Sequence, residues 1–194
     1  LIQRYRLLVS LVLCVACVVP PGFAQESVVS ANRDAEVLEA VLFHLLHDRA
    51  RNNPLQHRNV GLVTEIRFDP QLQTFRHDLS DIQRQFASLP LSGEERALFE
   101  EMVVNLIERS GTQERLPDFH PPDPRLVVAK ELSLPVQGYD ETVTGWLPGY
   151  SSQGDHAMVK LLIPWSVHVV EATYWLSKSD GHWKVERRKF TYYV

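Results

Sequence analysis

The hydrophobic period of this chain changes once, near residue 117, from helical spacing to strand alternation. In residues 33–50, Val37, Leu38, Val41, Leu42, Leu45 and Leu46 recur at i, i+3 and i+4, the stripe of an amphipathic helix. Ser30 or Asn32 suits its start and Asn52-Asn53-Pro54 its stop. Leu62, Thr64, Ile66 and Phe68 then alternate with Val63, Glu65 and Arg67, a short strand closed by Asp69-Pro70. Ser80-Asp81-Ile82-Gln83 and Ser92-Gly93-Glu94-Glu95 are capping boxes, each opening a helix. The second helix shows Leu98, Met102, Val103, Leu106 and Ile107 on one face and stops at Gly111. Residues 112–124 contain Pro117, Pro121, Pro122 and Pro124, too dense in proline for a regular element.

Downstream, strands are expected over 126–133, 140–147, 156–163, 167–178 and 182–193. Ser151-Ser152-Gln153-Gly154-Asp155 marks one turn, and Ser179-Asp180-Gly181 a tight hairpin. The expected fold is α+β: N-terminal helices packed on one face of a C-terminal five-strand antiparallel meander sheet. Its parts are a helical region 32–111, a proline-rich connector 112–124 and a sheet region 125–194.

The first 24 residues read as an export signal. Arg4 and Arg6 precede the apolar run Leu7–Val19, Pro20-Pro21-Gly22 breaks any helix, and Gly22 and Ala24 are small residues before a cut at Gln25. The run is shorter than the roughly 20 residues that span a bilayer; retention as an anchor is the alternative. A secreted or periplasmic protein is expected. Cys14 and Cys17, the only cysteines, lie in this run, so residues 25–194 form a single domain with no disulfide and no thiolate site. Setting Arg4 and Arg6 aside leaves 18 basic against 24 acidic residues, which solubilises the chain and gives no footprint for nucleic acid.

The ending Thr173-Tyr174-Trp175-Leu176-Ser177-Lys178-Ser179-Asp180-Gly181-His182-Trp183-Lys184-Val185 resembles the terminal hairpin of NTF2-like (SnoaL-like) cone domains, which close with a long strand, an Asp-Gly turn and a Trp-Lys-Val return. The resemblance covers about 20 residues. It implies helices ahead of a curved sheet and a family holding both enzymes and binding proteins. No catalytic residue carries over from it.

Asp118, His120 and Asp123 are the candidates for a base or a ligand, two carboxylates and an imidazole on a loop stiffened by proline. Trp146, Trp165, Trp175 and Trp183 all fall late in the chain. With Tyr150, the first three are the candidates for an exposed aromatic binding surface, because Trp175 alternates with Tyr174 and Leu176 and one sheet face must be less buried. His44 and His47 lie one turn apart, yet no third ligand follows at a metal-site spacing, so solvated side chains are expected and neither metal nor cofactor. Gly149-Tyr150-Ser151-Ser152-Gln153-Gly154 has the wrong spacing for a nucleophile elbow. Asp155-His156 and His77-Asp78 read as surface pairs. Arg187-Arg188-Lys189 reads as a charged edge strand.

The expected function is non-catalytic binding of a small molecule, glycan or protein through the sheet; the alternative is an NTF2-like hydrolase or isomerase with a polar pocket.

Overall fold

The structure, a computed structural model, describes residues 21–48, 55, 57–63, 89–111, 115–118, 120–129, 141–165 and 168–193. Its elements are α1 (Pro21–His47), β1 (Val60–Val63), α2 (Gly93–Gly111), β2 (Leu126–Ala129), β3 (Glu141–Gly145), β4 (Gly149–Tyr150), β5 (His156–Trp165), β6 (His168–Ser179) and β7 (His182–Tyr193). The capping box at Ser80 and the His77-Asp78 pair lie outside the described residues.

The α+β class holds. The leucine stripe of α1 is the heart of the core: Val37, Leu38, Val41, Leu42, Leu45 and Leu46 are all buried. The helix starts earlier than its sequence predicts, at Pro21 rather than near residue 33, and runs through the expected cut at Ala24. Pro21 opens the helix instead of breaking it, since a first-turn proline has its φ preset and lacks only an N–H that no carbonyl awaits. At the other end, the His47 imidazole reaches back to the carbonyl of Phe43 (2.9 Å). The second capping box forms as expected. Ser92 N–H donates to Glu95 Oε2 (2.9 Å) and Glu95 N–H to Ser92 Oγ (3.2 Å). These bonds hold the Glu95 carboxyl below its usual range.

The sheet has seven strands in the order β2-β1-β3-β5-β6-β7, with β4 also paired to β5. It departs from the expected meander at one side. Strand β1 inserts between β2 and β3 and runs parallel to both. The connection from β1 to β2 therefore passes through α2, as a parallel pair requires a crossover. The apolar run Val-Gly-Leu-Val suits that interior place, with Val60 and Leu62 buried. From β3 onward the pairing is antiparallel. Asp180 and Gly181, both at positive φ (52° and 80°), make the two-residue hairpin between Ser179 and His182.

The helices do not share a face. Alternation sends Val159, Leu161, Tyr174 and Leu176 to the α1 side, and Met158 and Trp175 to a second cluster with Phe99, Met102, Val103 and Leu106 of α2. Consecutive arginines of β7 record the same division: Arg187 pairs with Glu95 at the start of α2, and Arg188 with Asp48 at the end of α1. A β-bulge opposite Trp175/Leu176 adjusts the register between them.

Helix α2 lies directly on β4. A Cβ placed on Gly149 would stand 2.3 Å from the Met102 carbonyl oxygen and 2.5 Å from the Leu106 nitrogen, both backbone atoms that cannot swing away. Gly149→Ala is expected to lower the unfolding free energy by about 2 kcal/mol, read from the urea midpoint.

Candidate functional site

The sequence candidates divide in the structure. Asp118 is exposed and paired with Arg115 (2.7 Å). His120 is exposed, and its backbone N–H donates to Glu39 Oε1 (3.0 Å). Asp123 turns inward and takes Arg125 on both oxygens (3.0 and 2.7 Å). Asp118 and Asp123 therefore face different partners, Arg115 and Arg125, and among the described residues the three side chains form no cluster fit to hold a metal ion. Asp123 does meet a residue from elsewhere: His47 Nε2 stands 3.4 Å from its Oδ2.

Arg125 holds the Asp123 carboxyl down to about 2. The folded value lies below the unfolded one, so the stabilisation is present above about pH 4 and is lost as pH falls toward 2. Asp123→Asn is expected to remove of order 1 kcal/mol at neutral pH, after solvent screening, and to flatten the acid limb between pH 4 and 2. Urea midpoints measured across that range check both effects.

The expected exposed aromatic surface is not present at Trp146, Tyr150 or Trp175, which are 9, 5 and 4% exposed. The side chain of Trp165 lies outside the described residues. The physical reason is α2, which covers the second sheet face, so Trp175 packs against Phe99. Tyr150 is enclosed by both helices. Its hydroxyl donates to Asp34 Oδ1 (2.8 Å), and Arg109 grips the same carboxylate with 2.9 and 2.6 Å bonds. The Arg33 guanidinium lies 3.8 Å over the Tyr150 ring, and the Tyr150 N–H donates to Asn105 Oδ1 (2.9 Å). Burial, and then Asp34, push the phenol far above its usual range. This is an interior tie between α1, β4 and α2.

Ser151, Asp155 and His156 come together, but in an order that activates no nucleophile. Asp155 Oδ1 accepts from Ser151 Oγ and meets His156 Nδ1, each at 3.0 Å. A carboxylate sits where a triad needs the imidazole. The arrangement closes the turn before β5, and the His156 bond draws the Asp155 carboxyl below its usual range.

A groove with a mix of aromatic, imidazole and charged groups was not legible as a site in sequence. An open groove of about 870 Å³ runs along the outer face of α1. Its floor is Glu36, Glu39, Ala40, Phe43, His44 and His47. Gly181, His182, Trp183, Lys184 and Val185, at the start of β7, form one wall, and Pro122 of the connector lies on its border. The groove exists because the sheet curls around α1. Strands β2 and β7 are opposite edges of the sheet. Yet the segment entering β2 meets His47 through Asp123, while β7 meets Asp48 through Arg188. Neighbouring residues of one helix end thus touch the β7 edge and the segment that enters the β2 edge, and the groove lies between α1 and the start of β7.

Within it, Phe43 is 51% exposed and stacks on His47, with ring centroids 4.1 Å apart. His44 stands edge-on to the buried Tyr174 (6.0 Å), and burial, seconded by Arg188, lowers its pKa. Glu36 pairs with Lys178 (3.0 Å) at the hairpin end. Among the described residues, no group of three or more His, Cys, Asp or Glu side chains is placed to hold a metal ion. The usable sequence signal was Phe43, a large aromatic off the leucine stripe of its own helix.

Comparison with known proteins finds no matching family, no matching curated protein and no matching solved structure.

Proposed function

We propose that this chain is a non-catalytic binding domain, working outside the cytoplasm, and that the groove between α1 and the β6–β7 hairpin receives its ligand. The carrying observation is the exposed Phe43–His47 stack on the floor of a groove whose charged groups are already set in pairs, Glu36 with Lys178 and Asp48 with Arg188. Groups engaged in this way shape a recognition surface; they do not present a nucleophile beside a base. The export signal in residues 1–24 supports the compartment. The curl of the sheet around one helix supports an NTF2-like reading of the fold.

The enzymatic alternative has less support: His47 is held between the Phe43 carbonyl and the Asp123 carboxylate, both acceptors, which leaves neither ring nitrogen with a lone pair turned to a substrate.

Amide and indole NMR shifts of the full chain, recorded against a mixture of small aromatic, cationic and anionic fragments, test the location. Perturbations are expected to cluster on Phe43, His44, His47, His182 and Trp183. Clustering on another surface would overturn the assignment.

A further inference from the structure

The geometry points to an acid-sensitive clasp at the end of α1, in which protonation of His44 loosens Arg188 from Asp48 and frees the β7 edge from the helix. Arg188 of β7 pairs with Asp48, at side-chain exposures of 22 and 18%. Across the sheet it stands directly opposite Tyr174 of β6, which is fully buried. His44, one turn before Asp48, is half-buried and meets the Tyr174 ring edge-on, with centroids 6.0 Å apart. The imidazole therefore lies in the same junction as the ion pair. Burial and then the Arg188 charge disfavour an imidazolium there and outweigh the attraction of Asp48, so the His44 pKa is lowered. A His44 that takes up a proton draws on Asp48 and repels Arg188, and two cations then compete for the Asp48 carboxylate.

The other titratable groups of the region, among the described residues, do not cancel this. Tyr174 is pushed above its usual range and stays neutral in acid. Glu36, Glu39 and His47 of α1 and His182 and Lys184 of β7 line the groove with His44. Glu36 is engaged by Lys178, and Glu39 by the His120 N–H. His47 faces away from the clasp: its Nε2 stands 3.4 Å from Asp123, so a proton there tightens the hold on the connector. Acid thus loosens α1 from the β7 edge while strengthening its contact with the segment entering β2. The folded pKa of His44 lies below the ordinary 6.5, so its contribution is whole above that pH and is lost as pH falls toward the folded value. Asp123 loses its contribution only below about pH 4, which keeps the two windows apart. The start of β7 is also a wall of the groove, so release opens the groove, but the clasp stands on the fold whether or not the groove holds a ligand.

Histidine ring NMR of the full chain, titrated from about pH 7.5 to about 4.5 with urea midpoints over the same range, tests the clasp. His44 is expected to titrate below 6.5, and contacts between the Arg188 and Asp48 side chains to fade with the same midpoint. The folding equilibrium constant is expected to fall several-fold across that range. His44→Gln is expected to remove most of that fall, and His182→Gln, at an exposed position, to leave it. Arg188→Gln is expected to raise the His44 midpoint and Asp48→Asn to lower it, opposite shifts that a merely structural role does not produce. An undiminished acid loss in His44→Gln would overturn the clasp. So would a His44 that protonates while the Arg188–Asp48 contacts persist, a result read on the unsubstituted chain even where a variant fails to fold. No ligand enters these measurements, so the clasp and the groove assignment fail separately.

Discussion

Asp34→Ala is expected to cost about 3–5 kcal/mol of unfolding free energy, enough to leave a domain of ordinary stability close to unfolded. Asp34 is 3% exposed and is the acceptor on which Arg109 and the Tyr150 hydroxyl meet. Truncating it loses more than two hydrogen bonds. It leaves the largely buried Arg109 guanidinium without the Asp34 carboxylate, and the cost of that exceeds the net worth of the intact pair. Tyr150→Phe removes only a neutral donor and is expected to cost about 1 kcal/mol. The contrast between the two, measured by urea denaturation, separates an uncompensated charge from a lost hydrogen bond. If both variants lose the same modest amount, Asp34 is not the hub.

A second large effect is expected at the opposite sheet face. Lys160 and Glu171 are each 2% exposed, and Lys160 Nζ lies 2.5 Å from Glu171 Oε1. They are diagonal neighbours across β5 and β6, since Lys160 stands opposite Thr173 and Leu162 opposite Glu171. Lys160→Met is expected to cost about 3–5 kcal/mol, because it removes the ammonium that meets the buried Glu171 carboxylate. Lys160→Met combined with Glu171→Leu is expected to recover most of that loss, since a matched apolar pair carries no desolvation penalty. A double variant as unstable as the single one would show that Glu171 depends on more than this lysine. The coupling energy from the full cycle gives the answer directly.

These two ties show where sequence reading stops. The elements themselves were legible because their signals are local. The leucine stripe of α1, the Ser92–Glu95 box and the Asp180-Gly181 turn each need only a few consecutive residues. Opposite pairings of Arg187 and Arg188 also follow from alternation along one strand. Partners far apart in the chain were not legible. Nothing local announces that Asp34 meets Arg109, or that β1 slips between β2 and β3. The aromatic surface expected at Trp146, Tyr150 and Trp175 failed for the same reason: alternation shows that two faces exist, but not that α2 covers the second. His44 and His47 were legible as a pair and read as solvated. Only the curl of the sheet turns their helix face into the floor of a groove.

That curl is what the account of the site depends on, and NOE contacts around the last turn of α1 measure it most directly. The predicted result is that one sample shows the His47 ring close to Asp123, just ahead of β2, and the Arg188 side chain of β7 close to Asp48, so that both edges of the sheet reach the same helix end. Loss of either set in the folded protein would contradict it, because a sheet with one free edge leaves α1 exposed on a flat surface and the groove without a wall.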